Sequence, residues 1–246
     1  MKSEASVIYP ETKQSAAQEG AKKLMQIPLT RIQKLIGERM SLSKRTKPCF
    51  SIEARADLTE LMAARPKLRK KYGIKITTNA FYIHALGLAV REYPLAAGRL
   101  SDETIVIAGR INVGFAVNAP QGLVVPVIKE ADKKTLPEIA QLEQLLTDKA
   151  RDNQLKLRDI ENETVALSNL GIYGIDSFLG IVPPPASTIL AVGNVVPTVV
   201  CRDGEMTVRK MLNMSLTVDR RIIDEFYAAR FLNFIKEHLQ NPQQLL

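Results

Sequence analysis

Residues 215–231 read SLTVDRRIIDEFYAARF. Its first residues read as a strand, and from Asp224 the spacing of apolar residues turns helical, so a strand passes through a short turn into the last helix. The turn holds Asp219, Arg220, Arg221, two β-branched apolar residues and Asp224. A histidine at position 220 would stand four residues before a carboxylate, the makings of an acid–base pair. Arginine stands there instead.

Working outward, STILAVGNV, PTVVCRDGEMTVRKM and LNMSLTVD read as strands, with RDGE as a hairpin turn. ETIVIA, INVGFAVNA, GLVVPVIKE and ETVALSNLG add further strands, and APQG supplies the turn residues between the second and third. The first helix follows Thr30, with Ile32, Leu35, Ile36 and Met40 on one stripe, and ends by Pro48. CFSIEARAD alternates as a strand through Phe50, Ile52 and Ala54. Asp57 and Glu60 have the spacing of a capping box for the next helix, in which Pro66 predicts a kink or an early end. TTNAFYIHALGLAVREYP is a helix apolar on most faces, hence buried. Thr135 caps LPEIAQLEQLLTDKARDN, and the last helix carries a stripe of Phe226, Phe231, Phe234, Ile235 and Leu239. Helices mixed with largely antiparallel strands predict an α+β layered fold.

Composition narrows the chemistry. The 246 residues suffice for a sizeable core, and 46% hydrophobic with 24% charged residues is ordinary for a globular chain. Cys49 and Cys201 form no CxxC unit, so no metal site is expected, and Cys49 reads as a small core residue of its strand. The net charge of +8 is spread over short clusters such as Lys67–Lys71 and Arg220–Arg221; with no Trp and 5% aromatics it argues for solvated helix faces rather than nucleic-acid binding. Residues 1–28 read as a polar tail or linker without the apolar run of a secretory leader, and 29–246 as one domain. No stretch is apolar enough to span a bilayer, so no membrane partner and a cytoplasmic location are expected. His84 and His238 each fit a structural role, and no P-loop, nucleophile elbow or dinucleotide fingerprint is present.

Several ordered segments carry a resemblance: IPLTRIQKLIGERMSLSK, INVGFAVNAPQGLVVPVI, LSNLGIYGIDSF, IVPPPASTILAVG, DGEMTVRKMLNMSLTVD and the closing NPQQLL. From about Ile27 to Leu246 the chain resembles the catalytic core of the dihydrolipoyl acyltransferases of 2-oxo acid dehydrogenase complexes. The resemblance implies a two-layer sandwich like that of chloramphenicol acetyltransferase, and trimers, often built into cages, with active sites between subunits. It implies coenzyme A as substrate, a lipoyl group on a partner domain as the other substrate carrier, no metal, and a homotrimer or a multiple of three. Partners would be other components of such a complex or lipoyl-bearing proteins.

In that family the last strand leads into D-H-R-x-x-D-G. Its histidine is the base that takes the coenzyme A thiol proton, and a serine of S-N-L-G steadies the oxyanion. Carried over, the serine falls on Ser168, the histidine on Arg220, the second Asp on Asp224 and the glycine on Glu225. A guanidinium has five donors and no acceptor, so it cannot act as that base. Arg220 could either lower the pKa of a bound thiol or fill the channel, paired with Asp224 or Glu225; the second is the expectation. Two functions remain: an acyltransferase core with weak or lost catalysis, or a catalytically silent structural or assembly subunit. No lipoyl or peripheral-subunit-binding domain is recognised, TDKAR at 147–151 lying late in a helix.

Overall fold

The computed structural model describes residues 26–246. The polar tail read at 1–28 therefore lies almost wholly outside the described residues. Helix α1 (Arg31–Thr46) begins at Thr30, whose hydroxyl accepts from the Gln33 backbone N–H at 3.2 Å while the Gln33 side chain accepts from the Thr30 N–H at 2.9 Å. It packs by polar contacts: Ser43, Arg39 and Lys47 donate to the carbonyls of Val182, Pro184 and Ala186. On its expected apolar stripe Leu35 is 56% exposed, while Ile36 and Met40 are part-buried.

Strand β1 (Cys49–Asp57) turns Phe50, Ile52 and Ala54 toward the core, as alternation requires. Cys49 is exposed, not a core residue, because it opens the strand on the opposite face. Helix α2 (Thr59–Tyr72) lacks the capping box read at Asp57 and Glu60. Asp57 instead accepts from the N–H and hydroxyl of Thr59 and pairs with Arg209 at 2.6 Å, a partner 152 residues away. Pro66 does not end this helix, which buries Leu61 and Leu68 on either side of it; the cluster Lys67–Lys71 falls mostly on its exposed face. Helix α3 (Thr78–Glu92) is the central one, with Phe81, Tyr82, Ile83 and Leu86 fully enclosed.

The strand β2 (Gly98–Ser101) pairs with β3 (Thr104–Ile107), and β5 (Val117–Ala119) with β6 (Gly122–Val124), as two small hairpins. The runs 111–119 and 122–130 thus break into shorter pieces, including β4 (Val113–Phe115) and β7 (Val127–Ile128). Helix α4 (Leu136–Arg151) starts as expected, the Glu138 carboxylate accepting from the Thr135 N–H and hydroxyl at 2.8 Å. A short α5 (Leu157–Ile160) leads to β8 (Val165–Asn169).

The segments read as three strands after Ser187 form two long ones, β9 (Thr188–Arg202) and β10 (Glu205–Asp219). Asp203 and Gly204 between them have φ of 52° and 84°, the left-handed pair of a tight hairpin turn. Helix α6 (Glu225–Gln240) follows. Phe231, Ile235 and Leu239 are buried on it, but Phe226 is 84% exposed, because the first turn of α6 projects past the packed face.

The main sheet has six strands in the order β1-β10-β9-β8-β4-β7, with β8 parallel to β9 and β4 and the other pairs antiparallel. Val165, Leu167, Leu190, Val192, Leu212, Leu216 and Val218 face α3 and α6 in one core. The other face is more polar and is crossed by residues 170–186. Ser215 donates to the Phe178 carbonyl at 2.5 Å there, and Val182 packs on Ala166 and Ile189. This crossing segment leaves Ile172 and Leu179 75% and 59% exposed. Gly171 is fixed by close approach: a Cβ there would lie 2.2 Å from the Gly193 carbonyl oxygen.

Candidate active site

Ser168 lies one residue before the end of β8. Alternation puts it with Ala166 on the face away from the helices, half-buried in the lining of a cavity of about 520 Å³. Among the described residues its hydroxyl makes no hydrogen bond, so it does not serve as a backbone cap. Behind it runs a polar chain. Asn169 accepts from the Gly171 N–H at 2.9 Å and donates to Asn79 Oδ1 at 2.8 Å. Asn79 and Glu143 line this same cavity. Thr77, the N-cap of α3, donates to Glu143 Oε2 at 3.0 Å while its oxygen accepts from the Ala80 N–H. Burial raises the pKa of Glu143, partly offset by Thr77 and Asn79 and by the charges of Lys75 and Arg151. Lys75 and Arg151 line the same cavity.

None of Thr77, Asn79 and Glu143 was singled out from the sequence. The signal was present: Glu143 falls on the buried stripe of α4 with Leu136, Ile139, Ala140, Leu146 and Ala150. A carboxylate on an apolar stripe needs a partner, and the Thr77 hydroxyl is one.

The other end of the sheet holds Arg220. Asp219, 1% exposed, receives a two-pronged bond from Arg221, Nε to Oδ1 at 2.9 Å and a terminal nitrogen to Oδ2 at 2.6 Å. The Asp219 carbonyl accepts from the N–H groups of Ile222 and Ile223, and the Arg220 N–H donates to the Pro48 carbonyl at 3.1 Å. The Arg220 side chain is half-exposed, and its Nε donates to Glu225 Oε1 at 2.8 Å. Glu225 is held below the ordinary carboxylate range by its own backbone N–H at the helix start and then by Arg220. Asp224 is the N-cap of α6, accepting from the Tyr227 N–H at 2.8 Å. Of the two partners expected for Arg220, Glu225 is the one it takes.

One chain does not bring these residues together. Ser168 is in register with Ala191 and Ala191 with Ser215, five residues before Arg220. Two strand spacings and five residues of rise separate Ser168 and Arg220 by roughly 20 Å. His84 and His238 lie apart from both. His84 is buried between α3 and α6, and His238 stacks on Phe234 and contacts its carbonyl through Nδ1 at 2.8 Å.

The sandwich matches chloramphenicol acetyltransferase with a TM-score of 0.51 over 82% of this chain and 94% of that one, at 14% identity, a likeness of fold alone. Residues 21–246 match the 2-oxoacid dehydrogenases acyltransferase (catalytic domain) family, and the chain belongs to it. A protein described as a probable dihydrolipoamide acetyltransferase from Listeria monocytogenes superposes with a TM-score of 0.85 at 32% identity, covering 90% of this chain and 96% of that one. The Azotobacter vinelandii dihydrolipoamide acetyltransferase gives 0.86 at 30% identity, covering 91% and 94%. The succinyltransferase component of the 2-oxoglutarate dehydrogenase complex of Rickettsia bellii is 32% identical over 94% of this chain and 59% of its own length. The chain thus spans little more than half the length of such curated relatives. Among the described residues there is no cluster of three or more potential metal ligands, and no helix long and apolar enough to cross a membrane.

Proposed function

We propose that this chain is a dihydrolipoyl acyltransferase-like core, built for acyl transfer between lipoamide and coenzyme A, with catalysis weakened or lost at Arg220. The observation that carries this reading is the pairing of Arg220 with Glu225 at the head of α6. A charged, donor-only side chain occupies the place of the base and is tied to a carboxylate.

Residue spacing supports the assignment. A serine, a histidine and an asparagine have been studied for their role in the catalytic mechanism of the Azotobacter vinelandii enzyme; the first two are 52 residues apart and the last two four apart. Ser168 stands 52 residues before Arg220, and Arg220 four before Asp224. Ser168 lines the cavity with a hydroxyl that makes no hydrogen bond among the described residues, suited to an oxyanion, and Lys75 and Arg151 suit the phosphates of coenzyme A. The separation of Ser168 from Arg220 within one chain favours a site completed by a second copy, as in a trimer or a multiple of three. One solved relative forms the cubic core of the pyruvate dehydrogenase multienzyme complex. Ile172 and Leu179, exposed on the segment crossing the free sheet face, are apolar surface of the kind subunits cover.

The second reading, a silent structural or assembly subunit of such a complex, is favoured by the same arginine and by the use of Asp224 as a helix cap. Acetyl transfer from acetyl-CoA to free dihydrolipoamide separates the two. A measurable but slow rate supports the weak enzyme. No turnover, and no heat on titration with millimolar coenzyme A, supports the silent subunit.

A further inference from the structure

A second cavity, of about 500 Å³, lies at the start of β8, whereas Ser168 stands near the end of that strand. Glu163, on its wall, precedes Ser168 by five residues, roughly 16 Å of extended chain. The two cavities share no lining residue. The wall is built to hold one shape. The Asn112 side chain donates to the Asn162 carbonyl at 2.7 Å and accepts from the Glu130 N–H at 3.0 Å. Asn162 and Glu130 sit at left-handed φ of 65° and 49°, a conformation that residues other than glycine keep only when anchored. The Asn112 backbone also exchanges hydrogen bonds with the Thr164 hydroxyl, at 2.9 and 3.1 Å.

Two features of this wall have no use within the chain. Glu163 lines the cavity and is 7% exposed, yet neither carboxyl oxygen makes a hydrogen bond among the described residues. Oε2 is pressed onto Gly114, where an added Cβ would lie 2.6 Å from it. Oε1 is 3.7 Å from a terminal nitrogen of Arg39, too far to accept a hydrogen bond. A buried carboxyl in that state calls for a partner from outside the chain. The second feature is charge. Arg99, Arg110 and Lys129 line the same cavity from three separate segments. The two arginines form no ion pair among the described residues, and Lys129 forms only a long one, 3.9 Å to Glu161. Three cations around one cavity favour an anion, while Val106, Ile107 and Pro185 give it an apolar side.

We propose that this cavity is a ligand site for a small organic anion with a short apolar body, its carboxylate or phosphate held by Arg99, Arg110 and Lys129 and hydrogen-bonded by the protonated Glu163 carboxyl. A protonated carboxyl donates, whereas the ionised form only accepts and repels an anion. Burial pushes Glu163 up to about 7, which keeps that proton available near neutral pH. Arg39 and Lys47 oppose this from α1. So do Arg99 on β2, Arg110 before β4 and Lys129 after β7, until the anion neutralises them. An anion bound above pH 7 therefore brings a proton onto Glu163. The site is independent of the acyl-transfer reading and is tested without turnover.

Calorimetric titration of the whole chain at low salt tests this with hexanoate and diethyl phosphate, neither of which exchanges a proton between pH 6 and 8. Hexylammonium serves as the ligand of opposite charge. At least one anion should bind at pH 6 with a Kd of about 1 mM or tighter, and the better of the two names the head group. Hexylammonium should give no heat. Binding should be about tenfold tighter at pH 6 than at pH 8, following the protonated fraction of a group that titrates near 7. Glu163→Gln, whose amide donates at either pH, should bind equally at both. Arg99→Gln and Arg110→Gln, at exposed positions, should each weaken binding by about fivefold or more. Lys75→Gln, in the Ser168 cavity, should leave it unchanged. No binding of either anion at about 20 mM overturns the proposal, as does equal affinity of the parent at pH 6 and pH 8. Loss of binding in Lys75→Gln overturns it too, since the anion would then sit beside Ser168.

Discussion

Arg220 and Glu225 are joined at 2.8 Å at the head of α6, while the Asp224 carboxylate accepts instead from the Tyr227 N–H. The ion pair is solvent-exposed, so its breakage should leave stability nearly unchanged. Its effect on chemistry should be larger. Arg220→His should raise acetyl transfer from acetyl-CoA to dihydrolipoamide by roughly 10²-fold, the usual contribution of a positioned base. Glu225→Gly in addition should raise it further, by removing a carboxylate unfavourable to a thiolate. If Arg220 instead stabilises a bound thiolate, Arg220→His would slow the reaction and the parent rate would be flat from pH 7 to 8.5. Steady-state rates of the three chains decide.

Assembly is the next expectation. Light scattering at micromolar concentration should give a mass of three chains of 27.3 kDa, or a multiple of three. A monomer would remove the second copy on which the proposed site depends.

Two buried ionisable groups should make stability depend on pH in opposite directions. His84 is held down to about 4 by burial first, then by Arg91 and His238. Unfolded, it binds a proton near 6.5, so the unfolded state gains protons first as pH falls. Its contribution is fully present above 6.5 and lost progressively toward 4, amounting to roughly 3 kcal/mol. Chemical unfolding at pH 7.5 and pH 4.5 should show the loss, and His84→Leu should reduce it.

Glu163 has the reverse sign. Burial pushes it up to about 7, against the pull of Arg39 and Lys47. Unfolded, it loses its proton near 4.5, so stability from this group is present below 4.5 and falls as pH rises through 7. Glu163→Gln should therefore raise the melting temperature at pH 8 and leave it nearly unchanged at pH 4.5.

Gly171→Ala should be costly whatever the chain catalyses. The added methyl would meet a backbone carbonyl of β9, which cannot rotate away, so a loss of at least about 2 kcal/mol in urea unfolding is expected.

Local chemistry made much of this fold legible. Alternation placed β1 to the residue, and Thr30, Thr135 and Asp224 start helices as read. The failures are tertiary. STILAVGNV and the segment from Pro197 read as separate strands, yet Pro197 lies inside β9, although proline cannot donate to a ladder. It lies past the last β8 partner, Val192, where β9 is an edge and the missing N–H harms nothing. Asp57 had the spacing of a cap, but Arg209 claims it from far along the chain. At the candidate site, Ser168, Arg220 and Asp224 can be named from motif resemblance, whereas Asn79 and Glu143 belong to no motif and join the cavity lining only when the elements pack.

The backbone around position 220 is held by Asp219, Pro48 and the amides of Ile222 and Ile223, and none of those bonds uses the side chain at 220. The turn would keep its shape with almost any residue there. The residue at this position can therefore change, arginine to histidine included, without the turn passing through an unstable intermediate.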